Sequence, residues 1–542
     1  MYSAAHAPCW GDAMLRWHAA PSCRHRRFFF GAPSSGRRPS GSRRPRAGLS
    51  SPADNDDNKR DALDAAESMS KVRVSGRAES VSRGAPDGVP TRRVTIVGGG
   101  MAGIGCMHAL SRLSDRAVVT LVEASPELGG RVCTRSVIGG LAFDYGASYF
   151  SCKPGDPSFD ASPFAEAMRA AEDARVVRPW DGRGRIGTAA CVERGDGSYA
   201  IDPSSFESFP SSKRILVGVP RMSSVPRFIA RNLAGATRPD AVDLGDAAAP
   251  GAPEYLTSTF VEDVVPLPEV VGADGSRRRS HRMTLRVRDG GHVWYKPWET
   301  DLVILATNAP AAVRLLTSGG DDSSFDVAPR IAAAAAGVKA NACWTLMVAF
   351  ETPLNLPWDG VMMGEPFESG VAWFANNSSK PGRDDDGSGL SSDGGGSRTG
   401  DEMSWGYAAA EAEAATGERE CWVVQASPDW SNARADASAA EVASELLAAF
   451  LALVVGGDDG NGNGNGAADA GGACAYRKAF KWKHAYPLNP VAQSQRPTGW
   501  FDAAAGVGAC GDWTSGARAS DAYDSGVELG RVVAEHLRDL AT

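Results

Sequence analysis

The chain has 542 residues, of which 43% are hydrophobic and 23% are charged, as is ordinary for a soluble globular protein of several domains. Its formal net charge of -8 disfavours a nucleic-acid or anionic-membrane surface. The ten cysteines include no CxxC pair and no metal-like Cys/His spacing, so we expect reduced thiols and no bound metal. The longest apolar run, Leu446 to Val455, is too short to cross a bilayer.

The first 53 residues differ from the rest of the chain. No acidic residue lies between Asp12 and Asp54, whereas nine arginines and many Ser, Pro, Ala and Gly residues do. This composition is typical of an organelle transit peptide, and the density of Ser and Pro favours a plastid over a mitochondrion. A basic extension with no address is the alternative. Residues 54–90 are polar and aperiodic, which predicts a disordered linker and a folded part that begins near Thr91.

A strand, a glycine turn, a helix and a second strand follow within about thirty residues, the span of a βαβ unit. Arg93 to Val97 is a short apolar run that is typical of a buried strand. Ala102 to Leu113 has helical spacing of apolar residues, and Ala117 to Val122 is a second apolar strand.

Apolar patterning predicts further elements downstream, in the order expected of a mixed α/β chain. Three low-complexity tracts, residues 235–253, 383–402 and 456–472, are predicted to be surface insertions between these elements. The predicted helices are 163–174, 224–233, 441–455 and 524–537, and the predicted strands are 215–220, 260–265, 283–287, 292–296, 301–306, 342–350, 421–426 and 506–510.

The glycine turn matches the pattern G-x-G-x-x-G from Gly98 to Gly103. Gly98 permits the tight turn, Gly100 leaves room for a pyrophosphate, and Gly103 lets the helix approach the sheet. Met101 and Ala102 open the helix, whose free N–H groups would meet the phosphates of a bound dinucleotide.

An acidic residue closes the second predicted strand. Glu123 lies twenty residues after Gly103, where a carboxylate can accept both ribose hydroxyls of an adenosine group. The turn, the helix and this acid together predict dinucleotide binding. A tight strand–helix turn with no ligand is the alternative interpretation.

Two motifs downstream favour FAD over NAD. Gly129, Gly130 and Arg131 follow Glu123 closely, and Arg131 could donate a fork of hydrogen bonds to phosphate oxygens. With Glu123, this segment resembles the E-x₄₋₅-G-G-R continuation of the flavin amine oxidase superfamily, which simple NAD dehydrogenases lack. Residues 143–150, Phe-Asp-Tyr-Gly-Ala-Ser-Tyr-Phe, are similar to a signature of its renalase-like branch, in which Gly146 and Ala147 would let the backbone pass close to the flavin ring.

Four further segments resemble the renalase-like branch and occur in the same order as there. Each of them taken alone is more typical of a protein core than of a binding site. They are residues 217–223, 342–350, 421–430 and 481–484.

The chain ends on a motif of the same superfamily. Gly511 and Asp512 follow the last predicted strand, and Asp512 would accept hydrogen bonds from the ribityl or phosphate side of the cofactor. The dipole of the final helix would favour negative charge on the flavin pyrimidine. Relatives usually carry R-V-E-G-A at residues 518–522, whereas this chain has Asp521 in place of the glycine. The contacts of this helix with the ring are therefore expected to differ.

The resemblance implies an α/β fold: a discontinuous, Rossmann-like FAD-binding domain of the glutathione-reductase type and a mixed-sheet α+β substrate domain. The FAD-binding domain would take residues 91–155, 214–330 and 500–542, and the substrate domain residues 156–213 and 331–499. The pattern of a covalent flavin cysteine is missing, so noncovalent FAD is expected.

The resemblance also implies an FAD-dependent oxidoreductase that takes a hydride from a small reduced substrate, such as a dihydronicotinamide isomer, onto flavin N5. O2 would reoxidise the flavin and give H2O2. Flavin chemistry needs no obligatory acid or base, and His484 is the only catalytic candidate that we single out, with a core or surface histidine as the alternative. A flavin amine oxidase, a carotenoid or porphyrinogen desaturase, and a redox-inert flavoprotein stay open. The substrate and the oligomeric state are not indicated.

Overall fold

The predicted βαβ unit lies at the centre of a six-stranded sheet. In the computed structural model, strand β1 (Arg92–Val97) runs parallel to β2 (Ala117–Val122), and helix α1 (Met101–Leu110) connects them. The last four residues of each strand are buried, as expected for parallel strands that are covered on both faces. The order across the sheet is Glu254–Leu256, β2, β1, Leu302–Leu305, Val507–Ala509 and Phe501–Asp502, and only the last strand is antiparallel to its neighbour.

A second, mixed sheet of seven strands holds the other large core. Its pairings are antiparallel except for one, which joins Ile186–Ala189 to Gly360–Met363. The order is Glu207–Ser208, Ile186–Ala189, Gly360–Met363, Val371–Asn376, Glu420–Ala426, Ala340–Phe350 and β3 (Cys474–Pro487).

Smaller sheets and several helices complete the described structure. One sheet of three strands consists, in spatial order, of Phe150–Cys152, Arg214–Gly218 and Val177–Pro179. A second sheet of three strands consists of Thr259–Pro266, His281–Asp289 and His292–Thr300. Three pairs are Arg135–Ser136 with Ala142–Phe143, Cys191–Glu193 with Tyr199–Ile201, and Val270–Val271 with Arg277–Arg278. The remaining helices are Pro157–Asp160, Pro163–Asp173, Ser224–Phe228, Ala309–Leu316, Pro329–Ala336, Pro428–Ala433, Ala439–Val455, Asp512–Ser515 and α2 (Ala519–Asp539), with short 3-10 or π turns at Gly182–Gly184, Pro203–Ser205 and Ile229–Leu233.

The predicted transit peptide, the predicted linker and most of the three low-complexity tracts lie outside the residues that the structure describes. Within the described ranges, no helix is long and apolar enough to span a bilayer. The structure describes residues 92–111, 116–137, 140–236, 253–271, 277–289, 291–318, 327–365, 367–383, 419–455, 474–491 and 500–540.

The predicted α/β class with a Rossmann-like domain is confirmed, and the predicted strand 117–122 matches its bounds. The predicted helix 224–233 is instead α-helical over Ser224–Phe228 and continues as a π-helical turn. The strands Gly360–Met363 and Val371–Asn376 were not predicted. Gly360–Met363 is only four residues long and fully buried, so it has no polar alternation that would identify a strand.

The two large sheets draw on different parts of the chain. All strands of the first sheet come from residues predicted for the FAD-binding domain, and all strands of the second come from the predicted substrate segments. One small sheet crosses that division, because Val177–Pro179 pairs with Arg214–Gly218. The domain bounds stay a prediction, and this pairing places a hydrogen-bonded sheet across the predicted boundary at residue 213.

Two glycines allow the close approach of α1 to its neighbours. A Cβ atom on Gly103 would lie 1.9 Å from the Gly98 carbonyl oxygen, so only glycine lets α1 leave the strand at this angle. A Cβ on Gly526 of α2 would lie 1.9 Å from the Ala102 carbonyl oxygen. The first and last helices of the described residues are therefore packed backbone to backbone, which brings the two ends of the described part together.

A buried ion cluster joins the segment after α1 to the middle of the chain. Asp144 is fully buried and accepts hydrogen bonds from Lys380 Nζ at 2.8 Å and Arg383 Nη2 at 2.7 Å. Thr134 donates to its other oxygen at 2.5 Å. Burial raises the pKa of a carboxyl, but Lys380 and Arg383 outweigh this effect and hold the Asp144 pKa below its usual range. Burial also lowers the pKa of Lys380 to about 8.

Helix α2 holds a carboxyl whose ionisation opposes folding. Asp524 accepts a hydrogen bond from the Phe164 N–H at 2.8 Å at the start of the helix Pro163–Asp173. Burial raises the pKa of Asp524 from 3.8 to about 6. Since the folded state binds this proton more tightly than the unfolded state, stability from this group is present at low pH and declines as the pH rises from about 4 to about 6.

We expect Asp524→Asn to stabilise the protein at pH 7 and to have little effect at pH 4, because the amide keeps the acceptor oxygen and removes the charge. The full shift corresponds to about 3 kcal/mol, and partial exposure reduces the expected gain to about 1 kcal/mol. Urea unfolding at both pH values measures it, with the exposed Glu528→Gln on the same helix as control. Equal stability changes at the two pH values would refute this assignment.

Candidate functional site

A large cavity opens at the carboxyl edge of the first sheet. Its volume is about 2440 Å³, which exceeds the roughly 300–1,000 Å³ of typical small-ligand pockets. The residues that follow three adjacent parallel strands, Gly98, Glu123 and Ala306, line it. Ligands of open α/β sheets bind at this edge of the strands. The cavity therefore has both the position and the size for a dinucleotide together with a second small molecule.

The glycine turn presents bare backbone to this cavity. Gly98 has a φ of +112°, which favours glycine, and Gly100 has extended backbone with no atom within 4 Å of the position of a Cβ. Gly100, Met101 and Ala102 line the cavity, whereas Gly103 does not. Gly103 serves the packing of α1 instead, as the sequence predicts.

The N-terminus of α1 has no side-chain cap and no acidic residue in its first turn. Its first N–H groups are therefore available to an anion at the cavity wall, and the helix dipole favours negative charge there. A second loop lies against this turn, because the Gly129 N–H donates to the Gly99 carbonyl oxygen at 2.8 Å. Gly130, with a φ of +58°, brings its Cβ position within 3.3 Å of the Gly100 Cα. The two glycine loops form one cradle.

The Glu123 carboxylate is held by the glycine turn itself. The Gly99 N–H donates to its Oε2 at 2.6 Å and the Ser125 N–H to its Oε1 at 2.7 Å. The Ser125 hydroxyl lies 2.7 Å from Oε1 and 2.6 Å from the Glu127 carbonyl, and it has one hydrogen for these two acceptors. A carboxylate has about four acceptor positions. Glu123 can accept two ribose hydroxyls when Ser125 donates to Glu127, and one when it does not.

Arg131 makes an ion pair that the sequence analysis did not anticipate. Its Nη1 donates to Asp512 Oδ2 at 2.5 Å and to the Ala485 carbonyl oxygen at 2.8 Å. Arg131 and Asp512, which were both predicted to bind the cofactor, line the cavity. They lie 381 positions apart in the sequence and are bonded to each other. The guanidinium has five N–H donors, so the remaining ones can serve phosphate oxygens while Asp512 fixes the side chain.

Gly146 and Ala147 lie in the cavity wall and pack against the backbone of Arg131. A Cβ on Gly146 would lie 2.0 Å from the Arg131 carbonyl oxygen, and the Ala147 N–H donates to the same oxygen at 2.9 Å. The Gly146 carbonyl accepts from Gln425 Nε2 at 2.7 Å. Gly146 is therefore required for the packing of Gly146 and Ala147 onto the loop that contains Arg131.

The catalytic candidate His484 lines the cavity near Arg131. Burial, and then the positive charges of Arg131 and Lys483, lower the pKa of His484 below its ordinary value. The imidazole is therefore neutral at pH 7 and can donate one hydrogen bond and accept another.

The start of α2 faces the cavity with a capping arrangement. Ala517, Arg518, Ala519 and Ser520 line the wall, and the Asp521 carboxylate accepts from the Arg518 N–H at 3.2 Å. Asp521, at the position where the compared pattern has glycine, thus makes the carboxylate half of a capping box, because the Arg518 side chain has no acceptor to complete it. Its carboxylate satisfies the helix end, a role that a glycine could not perform.

Sequence reasoning missed a group of arginines on the wall of the cavity. Arg227 and Arg231 lie four positions apart in the helical segment after Ser223, and Arg314 lies in the helix Ala309–Leu316. The i, i+4 spacing of the first two was the available signal, because it places both on one helix face. Of the described residues that line the cavity, ten are Lys or Arg and three are Asp or Glu, although the whole chain carries a net charge of -8.

The residues present fit FAD. The Gly100 cradle is open where a side chain would lie, bare helix N–H groups face it, and Glu123 and Arg131 retain free bonding positions. The described part of the chain contains no group of three or more His, Cys, Asp or Glu side chains that could hold a metal ion.

Comparison with known proteins gives a short family match and distant structural similarity. Cyclohexylamine oxidase from Brevibacterium oxydans is 12% identical, with 84% of this chain and 100% of that one covered and a TM-score of 0.47. An oxidoreductase from Methanosarcina mazei is 11% identical, with 82% and 99% covered and a TM-score of 0.42. Wild-type putrescine oxidase bound to putrescine is 13% identical, with 83% and 100% covered and a TM-score of 0.46. Residues 96–161, which contain the glycine turn, Glu123 and Arg131, match the family model of an NAD(P)-binding Rossmann-like domain.

Proposed function

We propose that this chain is an FAD-dependent oxidoreductase that binds its cofactor noncovalently. The observation that carries the proposal is the cradle at Gly100, where open space and bare helix amides face the cavity beside Glu123. A dinucleotide needs this combination of a close backbone approach to its diphosphate and an acid for its ribose. The cavity also continues past Arg131 and Asp512 to β3, which leaves room for a substrate next to the cofactor.

The finer proposal is a renalase-like oxidase of a small reduced substrate. Bound flavin supplies the hydride acceptor at N5 and returns the electrons to O2 with two protons, giving H2O2. The protein would contribute position and exclusion of water. The Arg131–Asp512 pair would fix the loop after β2 to the segment before α2 beside the cofactor, and the neutral imidazole of His484 can orient a polar group of the substrate.

The first test of this proposal is the visible spectrum of the purified protein. A flavin absorbance at one FAD per chain is expected. A colourless protein that takes up no added FAD would refute the premise that the chain binds FAD, on which all the candidate functions depend. Anaerobic mixing with dihydronicotinamide isomers, amines and carotenoids then identifies the substrate that bleaches the flavin. Bleaching by the dihydronicotinamides supports the renalase-like reaction. Bleaching by amines or carotenoids would refute that reaction in favour of an amine oxidase or a desaturase, and a flavin that none of these compounds reduces indicates a redox-inert flavoprotein.

We expect Glu123→Ala and Arg131→Ala each to reduce FAD affinity by tenfold or more, because each removes charge-assisted hydrogen bonds of about 1.5–3 kcal/mol apiece. Fluorescence titration of FAD into the apoprotein measures the affinity. Glu528→Ala, an exposed acid on α2 outside the cavity lining, is the control for a change of charge. A full flavin load at wild-type affinity in both variants would remove these two residues from the site.

We also propose that residues 1–53 address the chain to an organelle, a plastid rather than a mitochondrion. The support is their basic, acid-poor and Ser-rich composition. A fluorescent protein fused to these residues should enter plastids, and a fusion that stays in the cytosol would contradict the assignment.

A further inference from the structure

The wall of the cavity along β3 differs from the wall at the glycine turn. Residues 480–485 of β3 all line the cavity, and so do Tyr476 and Lys478. Alternate residues of a strand point to one face, which groups Tyr476, Lys478, Phe480, Trp482 and His484. This set, which we call the β3 wall, combines three aromatic rings with a lysine and a histidine.

The aromatic rings of the β3 wall are held in place by their neighbours. The Tyr145 ring stacks on Trp482 with centroids 5.0 Å apart and meets Phe480 edge-on at 5.1 Å. The Trp482 indole N–H donates to the Tyr145 carbonyl oxygen at 2.9 Å. These rings are only partly buried although they pack tightly, so they present a rigid aromatic surface to the cavity.

Two basic side chains flank Tyr476 at the end of this surface. Arg135 pairs across its hairpin with Phe143, whose ring stacks on Tyr476 at 5.3 Å. Lys478 is two positions from Tyr476 on the same face of β3. Both line the cavity, and among the described residues neither has an ion-pair or hydrogen-bond partner. By contrast, the ammonium of Lys481 is bonded to the Ala435 carbonyl on the other side of the strand.

Lys478 lies far from the cofactor cradle. Ala485 of β3 contacts Arg131, and Lys478 lies seven positions earlier, which at about 3.3 Å per residue is roughly 23 Å along the strand. Under the proposed function, the diphosphate of a dinucleotide would be bound by the α1 amides and Arg131. The positive charge of Lys478 is therefore not needed for that group, and Arg135 lies next to the same end of β3 through Phe143 and Tyr476.

We infer that the substrate of this site is an anion whose carboxylate or phosphate pairs with Arg135 and Lys478 while its planar ring stacks on the β3 wall. Aromatic faces bind planar rings, and basic side chains form their strongest hydrogen bonds with carboxylate and phosphate oxygens. The excess of Lys and Arg in the cavity lining repels a cationic amine. The inference rests on the proposed function and selects among its substrate classes.

The test compares three ring compounds that differ in their charged group: 2-naphthoate, 2-naphthyl phosphate and 2-(aminomethyl)naphthalene. Each is titrated calorimetrically into the FAD-loaded protein. At least one anion should bind tenfold or more tighter than the amine, with an affinity that falls as salt is added. Carboxylate and phosphate substrates are distinguished by which of the two anions binds more tightly. Equal or tighter binding of the amine would overturn the inference.

The double variant Arg135→Gln, Lys478→Gln assigns the contact. It should weaken binding of the preferred anion at least tenfold and leave the amine unaffected. Arg477→Gln removes one positive charge from β3 outside the cavity lining, half the charge change of the double variant, and should bind all three probes as the wild type does. Wild-type anion affinity in the double variant would refute the inference.

The FAD content of each sample, read from its visible spectrum, separates the two hypotheses. A full FAD load without anion preference refutes only the substrate class. A chain that takes up no FAD refutes the proposed function, and titration of that FAD-free chain still tests the β3 wall. An anion that binds only in the absence of FAD would be bound at the cofactor cradle, which also overturns the inference.

Discussion

Gly100→Val is expected to yield a folded protein that has lost at least a hundredfold in FAD affinity. The Gly100 backbone is extended, at a φ of -76°, which valine adopts, and no atom lies within 4 Å of its Cβ position. The added Cβ would meet nothing in the protein, and the side chain would occupy the space that we propose for the diphosphate. Loss of glycine at the N-cap of α1 should lower the free energy of unfolding by about 1 kcal/mol or less.

Fluorescence titration with FAD and urea unfolding of the apoprotein together measure this prediction. Gly337→Val is the matched control, because Gly337 is exposed, has a φ of -74° and lies outside the cavity lining. It should bind FAD as the wild type does. Gly103→Val should instead lose stability, since its side chain collides with the Gly98 carbonyl. Unchanged FAD affinity in Gly100→Val would show that the cradle holds no diphosphate.

The second large effect is expected from Asp144→Asn, which should destabilise the protein by about 3–5 kcal/mol. The substitution keeps the size of the side chain but leaves Lys380 and Arg383 buried without their carboxylate. Lys380 can release its proton, since burial already lowers its pKa to about 8, but an arginine cannot. The remaining cost is therefore a buried guanidinium without a counter-charge.

Urea unfolding at pH 7 measures this loss. Glu445→Gln removes a carboxylate from an exposed pair with Arg434, and it should cost less than about 1 kcal/mol. Asp144→Asn combined with Lys380→Met removes one of the two buried cations and should recover part of the stability. A loss for Asp144→Asn no larger than that for Glu445→Gln would contradict the assigned role of the cluster.

Local features of the sequence were enough to predict the cofactor half of the site. Steric constraints on a tight turn, the free amides of a helix start and an acid at a strand end all act within about thirty residues. The predicted bounds of the βαβ unit and the roles of Gly98 and Gly103 follow from these constraints alone. The capping role of Asp521 also depends only on adjacent residues, but it was obscured because the family pattern has a glycine there.

Only the tertiary structure decided which distant side chains meet. Arg131 and Asp512 are 381 positions apart and Asp144 and Lys380 are 236 apart, and their pairing depends on the order of strands in the sheets. Burial makes each pairing specific, since a charge without its partner is costly there. The amino-acid sequence by itself determined the glycine turn, the helix start and the acid at which we propose that a dinucleotide binds. The packing of β3 against the hairpin of Arg135–Ser136 and Ala142–Phe143 decided the charge and shape of the rest of the cavity. The residues of β3 and of this hairpin become neighbours only when segments far apart in sequence are brought together.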